Sequence, residues 1–257
     1  MQLRHTDGLK IMFQKIKNFL KKFPFIKKVW NSYNNLVTLN ARLTYLEKRV
    51  HNFRWFAVEQ AADYLVGAQV EGDYCEFGVY KGETFAHMTR YYEVFPDMRY
   101  IAFDSFEGLP APKGIDNENG YASNFHEGEF AVSQDQFLEN LKSKNVPLDR
   151  VIMVKGWYDQ TLNDDTANKH NINKVSCAWI DCDFYESTVP VLKFLTKRIS
   201  VGSILLFDDW KVYRNLSDKG QQLATSEWLS ANPGLELKPL FEFSHHGQAF
   251  TVAKIPQ

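Results

Sequence analysis

The sequence predicts an open, mostly parallel α/β sheet with helices on both faces. Three observations carry that prediction. Short apolar runs of four to six residues alternate with helical patterns along most of the chain. Each of the best-defined runs stops abruptly at a glycine or an aspartate: 73–77 at Gly78, 99–103 at Asp104, 175–180 at Asp181 and 203–207 at Asp208. The composition, 44% hydrophobic and 24% charged over 257 residues, is that of a globular chain.

The elements follow in order. Residues 9–23 place Leu9, Met12, Phe13, Ile16, Phe19, Leu20 and Phe23 at helical spacing, with five lysines on the remaining surface. A basic amphipathic helix of this kind can lie on anionic lipid or pack on its own protein. Pro24 ends it. Leu36, Leu39, Leu43, Leu46, Val50 and Phe53 then form a short heptad seam, which suits a helical hairpin or a contact between two copies of the chain. Residues 55–67 continue as helix. Strand 73–77 leads through a turn into a helical pattern over 79–95. Strand 99–103, helix 134–144 and strand 151–154 follow, then strand 175–180. Pro190, after Ser187 and Thr188, suits a first helical turn. Strand 203–207, helix 218–231 and strands 235–243 and 248–255 complete the chain.

Charge divides the chain in two. Residues 1–54 carry twelve Lys/Arg against only Asp7 and Glu47, whereas the remainder has 18 basic and 29 acidic residues. This predicts a basic helical arm over 1–54 attached to an acidic body over 55–257. No stretch has the roughly 18 uninterrupted apolar residues of a membrane span. The arm lacks the cleavage-site pattern of a secretory signal. Three cysteines (Cys75, Cys177, Cys182) without a CxxC pair give neither a disulfide framework nor a zinc site, and fit reduced thiols in a cytoplasmic protein. The body lacks the basic, aromatic-bearing surface of a nucleic-acid binder.

In open α/β sheets ligands bind beyond the carboxyl ends of the strands. Glu76, Gly78 and Gly82 lie at the first such end, where two glycines can let backbone approach a ligand. Asp104 follows the next strand and can accept hydrogen bonds from ribose hydroxyls. Alternatively these residues form a tight turn and a capping acid; together they favour a nucleoside ligand. Asp181 and Asp183 follow one strand, and Asp208 and Asp209 the next. If those strands are neighbours, crowded carboxylates repel and call for a cation. Oxygen ligands favour Mg²⁺, Mn²⁺ or Ca²⁺ over zinc.

The segments DYCEFGVYKGETFAH (73–87), IAFDSFEGLPAP (101–112), KGWYDQTL (155–162), IDCDFYEST (180–188) and DDW (208–210) resemble, in order and spacing, the macrocin and mycinamicin O-methyltransferase family. The likeness covers roughly residues 60–255 and leaves the arm unmatched. It implies a Rossmann-like class I methyltransferase fold with a seven-stranded sheet. It also implies a Mg²⁺-assisted enzyme that transfers a methyl group from S-adenosylmethionine (SAM) to a sugar hydroxyl. On this resemblance Glu76, Gly78 and Gly82 would cradle the methionine half of SAM. Asp104 would hold the ribose with Ser105 beside it, and Gly156 and Trp157 would border the adenine. Asp181, Asp208 and Asp209 would bind the metal, with Asp183 as the neighbouring alternative to Asp181. Phe77 stands where many relatives carry a smaller residue.

The insert 111–133 is expected to lie over the site as a lid. It holds His126, a candidate general base. The expected location is cytoplasmic, with peripheral contact at the inner membrane face through 9–23 and a homo-oligomer through 36–53 as further readings. Two rivals are a nicotinamide-dependent oxidoreductase, weakened by the missing GxGxxG, and a membrane-tethered, non-catalytic binding protein.

Overall fold

A computed structural model of the chain describes residues 39–91, 94–120 and 125–256, with side chains from residue 53 onward apart from 118–120. The lipid-contact helix expected at 9–23 lies outside these residues, as do the side chains of most of the heptad seam. The chain divides between Asn52 and Phe53, and the unit Phe53–Gln257 carries the whole sheet.

The helix that enters the second unit, α1 (Leu39–Gly67), is followed by β1 (Asp73–Phe77), α2 (Glu83–Met88) and β2 (Tyr100–Asp104). Then come α3 (Gln134–Ser143), β3 (Val151–Lys155), α4 (Tyr158–Thr161), α5 (Asp164–His170) and β4 (Val175–Ile180). The chain continues through α6 (Tyr185–Leu195), β5 (Ile199–Phe207), α7 (Gly220–Ala231), β6 (Glu236–Phe243) and β7 (Gly247–Lys254). The seven strands lie in the order β3-β2-β1-β4-β5-β7-β6. All pairings are parallel except those of β7, which runs antiparallel to both β5 and β6. This is the expected mostly parallel, seven-stranded sheet.

Strand residues alternate between two cores because side chains alternate across a sheet. Tyr74, Tyr100, Trp179 and Leu206 pack on one face with Ala57, Val58, Ala61 and Leu65 of α1, Phe85 of α2, and Phe137 and Leu141 of α3. Cys75, Phe77, Phe103, Ile180 and Phe207 pack on the other with Ala167 of α5, Val191 and Phe194 of α6, and Trp228 of α7. Burying each large apolar side chain contributes about 1.5–3 kcal/mol, so the central strands β1 and β4, buried throughout, anchor the site they carry. All three cysteines are buried free thiols. Among the described residues no helix is long and apolar enough to cross a membrane.

Three local outcomes differ from the sequence expectation. Helix α6 begins at Tyr185, so Pro190 falls inside it. The start is set from outside: Asp116, in the insert, accepts the backbone N–H groups of Tyr185 (2.9 Å) and Glu186 (3.0 Å). The helical pattern over 79–95 shortens to α2 and a 3₁₀ turn, Thr89–Tyr91. Gly82 stands in the left-handed region at φ 75°, which excludes the preceding residues from the helix. Helices α4 and α5 leave no signal in the sequence, because neither is long enough to show a periodic apolar face.

Candidate active site

The ladder sets the acids side by side. Ile180 of β4 is the register partner of Phe207 of β5, so Asp181 and Asp208 emerge from neighbouring strand tips. One carboxylate oxygen from each of Asp181, Asp208 and Asp209 lies within 4.8 Å of the others. Asp208 and Asp209 are almost fully buried. Burial, then the neighbouring carboxylates, push Asp181 and Asp209 well above the usual carboxylate range. Asp183 adds a fourth acid. Its backbone is left-handed, φ 58°, and its N–H donates to Asp209 Oδ2 at 2.9 Å. Burial, then Asp208 and Glu129, push its carboxyl up to about 7.

Among the described residues one cation pairs with this cluster, and by sequence it belongs to the basic arm. Arg54, on α1, pairs with Asp208 Oδ2 and lies 3.7 Å from Asp181. Burial alone would lower its pKa, but Asp208, Asp181 and Asp209 outweigh burial and raise it. The compensation is incomplete, because Asp208 Oδ1 is buried with no hydrogen-bond partner among the described residues. A buried carboxylate oxygen without a donor is costly. The arrangement therefore fits a divalent cation with oxygen ligands. Removing Arg54 should expose the repulsion: Arg54→Met is expected to lose roughly 3 kcal/mol, read by calorimetry in EDTA as a melting point several degrees lower. An unchanged melting point would contradict the role given to Arg54.

The turn after β1 lies beside the acids. Gly78 N–H donates to Phe103 O, and Asp181 N–H donates to Phe77 O, both at 2.9 Å. A Cβ on Gly78 (φ 87°) would stand 1.9 Å from the Asp181 carbonyl oxygen. A Cβ on Gly82 would meet Phe137 at 2.7 Å. Both glycines thus have an internal packing reason besides any ligand. Glu76 is buried and accepts from Tyr74 Oη at 2.5 Å; burial holds its carboxyl well above the usual range, and Asp181 and Asp208 add to the rise. Phe77 is fully buried and stacks on Phe103, 4.9 Å between ring centres, so its bulk enters the core.

Asp104 bridges the first two strand ends. Its Oδ2 accepts Val79 N–H at 2.8 Å and its Oδ1 accepts Phe106 N–H at 2.7 Å. Burial raises its pKa, while these amides and that of Tyr80 oppose the rise. An ionised carboxylate offers about four acceptor sites, so room for one further donor remains. Ser105 Oγ donates to Gly108 O at 3.1 Å and accepts Glu107 N–H at 3.1 Å, which makes it a loop brace. Gly156 N–H donates to Asp104 O at 2.9 Å, and half-buried Trp157 stands at the N-cap of α4. Left-handed residues recur at this sheet edge, with Tyr80, Phe106 and Asp183 besides the glycines. Such strain gathers where a site constrains the chain.

The insert meets the same edge. Leu109 N–H donates to Glu129 O and Gly128 N–H to Leu109 O, closing its neck. Phe125 packs edge-on against Phe184, and Phe130 against Tyr80. His126 is exposed, and its backbone N–H donates to Glu129 Oε2 at 3.0 Å. Two other histidines, His245 and His246, lie in the turn between β6 and β7, where Asp208 acts on His245 and Arg54 on both. Burial lowers the pKa of His245, and burial, His245 and Arg54 bring that of His246 down to about 4. No motif marks that turn in the sequence.

A profile of the family described as Macrocin-O-methyltransferase (TylF) matches residues 46–231. The chain belongs to that family. Demethyldecarbamoylnovobiocin O-methyltransferase of Streptomyces niveus is 29% identical over 168 residues, 63% of this chain and 60% of that protein. The 8-demethyl-8-(2,3-dimethoxy-alpha-L-rhamnosyl)-tetracenomycin-C 4'-O-methyltransferase of Streptomyces olivaceus is 28% identical over 171 residues, 64% of this chain and 61% of that protein. The chain thus spans about 60% of the length of these curated relatives. Among solved structures, the O-methyltransferase NovP matches with a TM-score of 0.61 and 24% identity, covering 80% of each chain. The calicheamicin methyltransferase CalS11 matches with a TM-score of 0.60 and 20% identity, covering 93% of this chain and 90% of its own. Both share this family member's α/β fold.

Proposed function

We propose that this member of the family is a SAM-dependent, divalent-metal-dependent O-methyltransferase acting on a sugar hydroxyl of a glycosylated natural product or surface glycan. The observation that supports it most is the convergence of three carboxylates, with Asp208 Oδ1 unpartnered among the described residues, beside a motif-bearing Gly turn. Asp181, Asp208 and Asp209 would hold Mg²⁺ or a similar ion, which when bound makes an acceptor hydroxyl more acidic. SAM supplies a methyl group already activated on a sulfonium.

The chain's own residues orient and receive. The Gly78–Gly82 turn and Glu76 border the methionine half of the donor. Asp104 offers its remaining acceptor site to the ribose, with Ser105 holding the loop, and Gly156 and Trp157 flank the adenine. Alignment of two bound reactants can contribute on the order of 7–11 kcal/mol. By position Asp183 is better placed than His126 to take the hydroxyl proton, since its backbone is fastened to Asp209.

The sugar reading draws on the relatives. The Streptomyces olivaceus enzyme is named for a rhamnosyl-bearing acceptor, and an apo CalS11 structure is described as a TDP-rhamnose 3'-O-methyltransferase. The domain division at 54/55, a cytoplasmic location, the lipid contact of 9–23 and self-association through 36–53 stand as parts of this proposal. A thermal-shift comparison separates it from the oxidoreductase rival. SAM at about 100 times its Kd should stabilise by about 2.7 kcal/mol, roughly 5–10 °C for a domain of this size. NADH should give no shift. Stabilisation by NADH and not by SAM would overturn the reading.

A further inference from the structure

Gln221 is a polar side chain with no solvent exposure, at the start of α7. Its amide faces the two strand tips. Oε1 accepts the Asp209 N–H at 3.1 Å. Nε2 donates to Ile180 O at 3.0 Å and lies 3.5 Å from Asp209 Oδ2. The orientation of the amide is fixed by its partners, since a backbone N–H can only donate and a carbonyl can only accept.

The two backbone partners belong to different strand ends. Ile180 closes β4 and immediately precedes Asp181. Asp209 follows Asp208, whose own N–H still makes the last rung of the ladder, to Ile180 O at 3.0 Å. Beyond that rung the Asp209 N–H has left the sheet, in a place where water does not reach. Gln221 supplies the missing acceptor and returns a donor to the carbonyl that ends β4. One side chain thereby fixes the distance between the backbone that carries Asp181 and the backbone that carries Asp209.

It also turns the carboxylate. Asp209 Oδ2 accepts the Asp183 N–H at 2.9 Å and lies beside Gln221 Nε2. With Oδ2 held from the protein side, Oδ1 is the oxygen left for a cation. We infer that Gln221 is a positioning residue that sets the spacing and orientation of the acids on the two strand tips, so that cation affinity depends on a side chain outside the ligand set. This rests on the proposed metal site.

The test uses the full chain and Mn²⁺ followed by electron paramagnetic resonance. Gln221→Met keeps the length of the side chain and loses its hydrogen bonds. Its Mn²⁺ affinity is expected to fall about 10–100-fold, the range for groups that orient metal ligands. SAM affinity, read by calorimetry at the same temperature, should fall much less, because Gln221 bonds to Ile180 and Asp209 and to none of the residues proposed to border SAM. Gln221→Asn keeps the amide but shortens its reach by one methylene; it serves where the methionine variant does not fold and carries the same expectation. A variant that folds and binds Mn²⁺ like the wild type overturns the inference, as does one in which Mn²⁺ and SAM affinity fall together. Absence of Mn²⁺ binding by the wild type would instead overturn the metal reading, and this inference with it. Asp209→Asn, which removes a proposed ligand, provides the reference for full loss.

Discussion

Asp208→Asn is expected to abolish methyl transfer while leaving the protein folded and able to bind SAM. The substitution preserves shape and removes one charge. Asp208 Oδ1 is buried and has no donor among the described residues, and Oδ2 is the partner of Arg54. Conversion to an amide relieves repulsion with Asp181 and Asp209 but weakens the pairing with Arg54, which keeps Asp181 3.7 Å away. These effects oppose each other, so the melting temperature should move by only a few degrees. The cation has no such compensation. Loss of an orienting group outside the ligand set costs about 10–100-fold in metal affinity, and loss of a ligand should cost at least the upper end of that range. Mn²⁺ titration, SAM calorimetry and transfer of labelled methyl from SAM into an acceptor extract report the three properties separately. Wild-type turnover in Asp208→Asn would refute the metal assignment; joint loss of SAM binding and fold would show that Asp208 is structural.

The sequence exposes this cluster because strands are punctuated. A buried parallel strand is a short apolar run, and the first polar residue after it marks the carboxyl edge. Asp104, Asp181 and Asp208 are therefore legible without a structure, and their adjacency needs only the order of β4 and β5. Other features are not local. Arg54 belongs by sequence to a basic segment and looks like one more solvated charge. Only the packing of Ala57, Val58, Ala61 and Leu65 against the sheet carries that helix past the strand tips. The start of α6 is hidden similarly, since Asp116 caps it from 69 positions upstream. Gln221 carries no motif, and its meaning arises where α7 meets two strand ends. His126 is the converse case: its chemistry suits a base and is legible in the sequence, whereas its exposed position in the insert and the bond from its backbone N–H to Glu129 are not.

Gly78→Ala should be the most damaging small substitution in the sheet. The new methyl carbon would lie 1.9 Å from the Asp181 carbonyl oxygen and 3.0 Å from its carbonyl carbon. Neither atom can swing aside, because both belong to backbone stitched to β1 by the Asp181 N–H bond to Phe77 O. The φ of 87° adds a conformational cost of roughly 1–2 kcal/mol for an L-residue. Forced separation adds about 1–3 kcal/mol by analogy with overpacked cores. The sum, about 2–5 kcal/mol, is a large share of a total stability of about 5–15 kcal/mol, and calorimetry should show a fall of roughly 4–20 °C. Gly82→Ala is the control. Its methyl would meet Phe137 and Leu141 side chains at 2.7 and 3.1 Å, and side chains can yield where a carbonyl cannot, so the loss should be smaller. Equal melting of Gly78→Ala and wild type would mean that the β1 and β4 tips are not held as close as the structure places them. The consequence reaches the site, because the same displacement moves Asp181 away from Asp208. Gly78→Ala should therefore weaken Mn²⁺ binding even at temperatures where the variant remains folded, and Gly82→Ala should not.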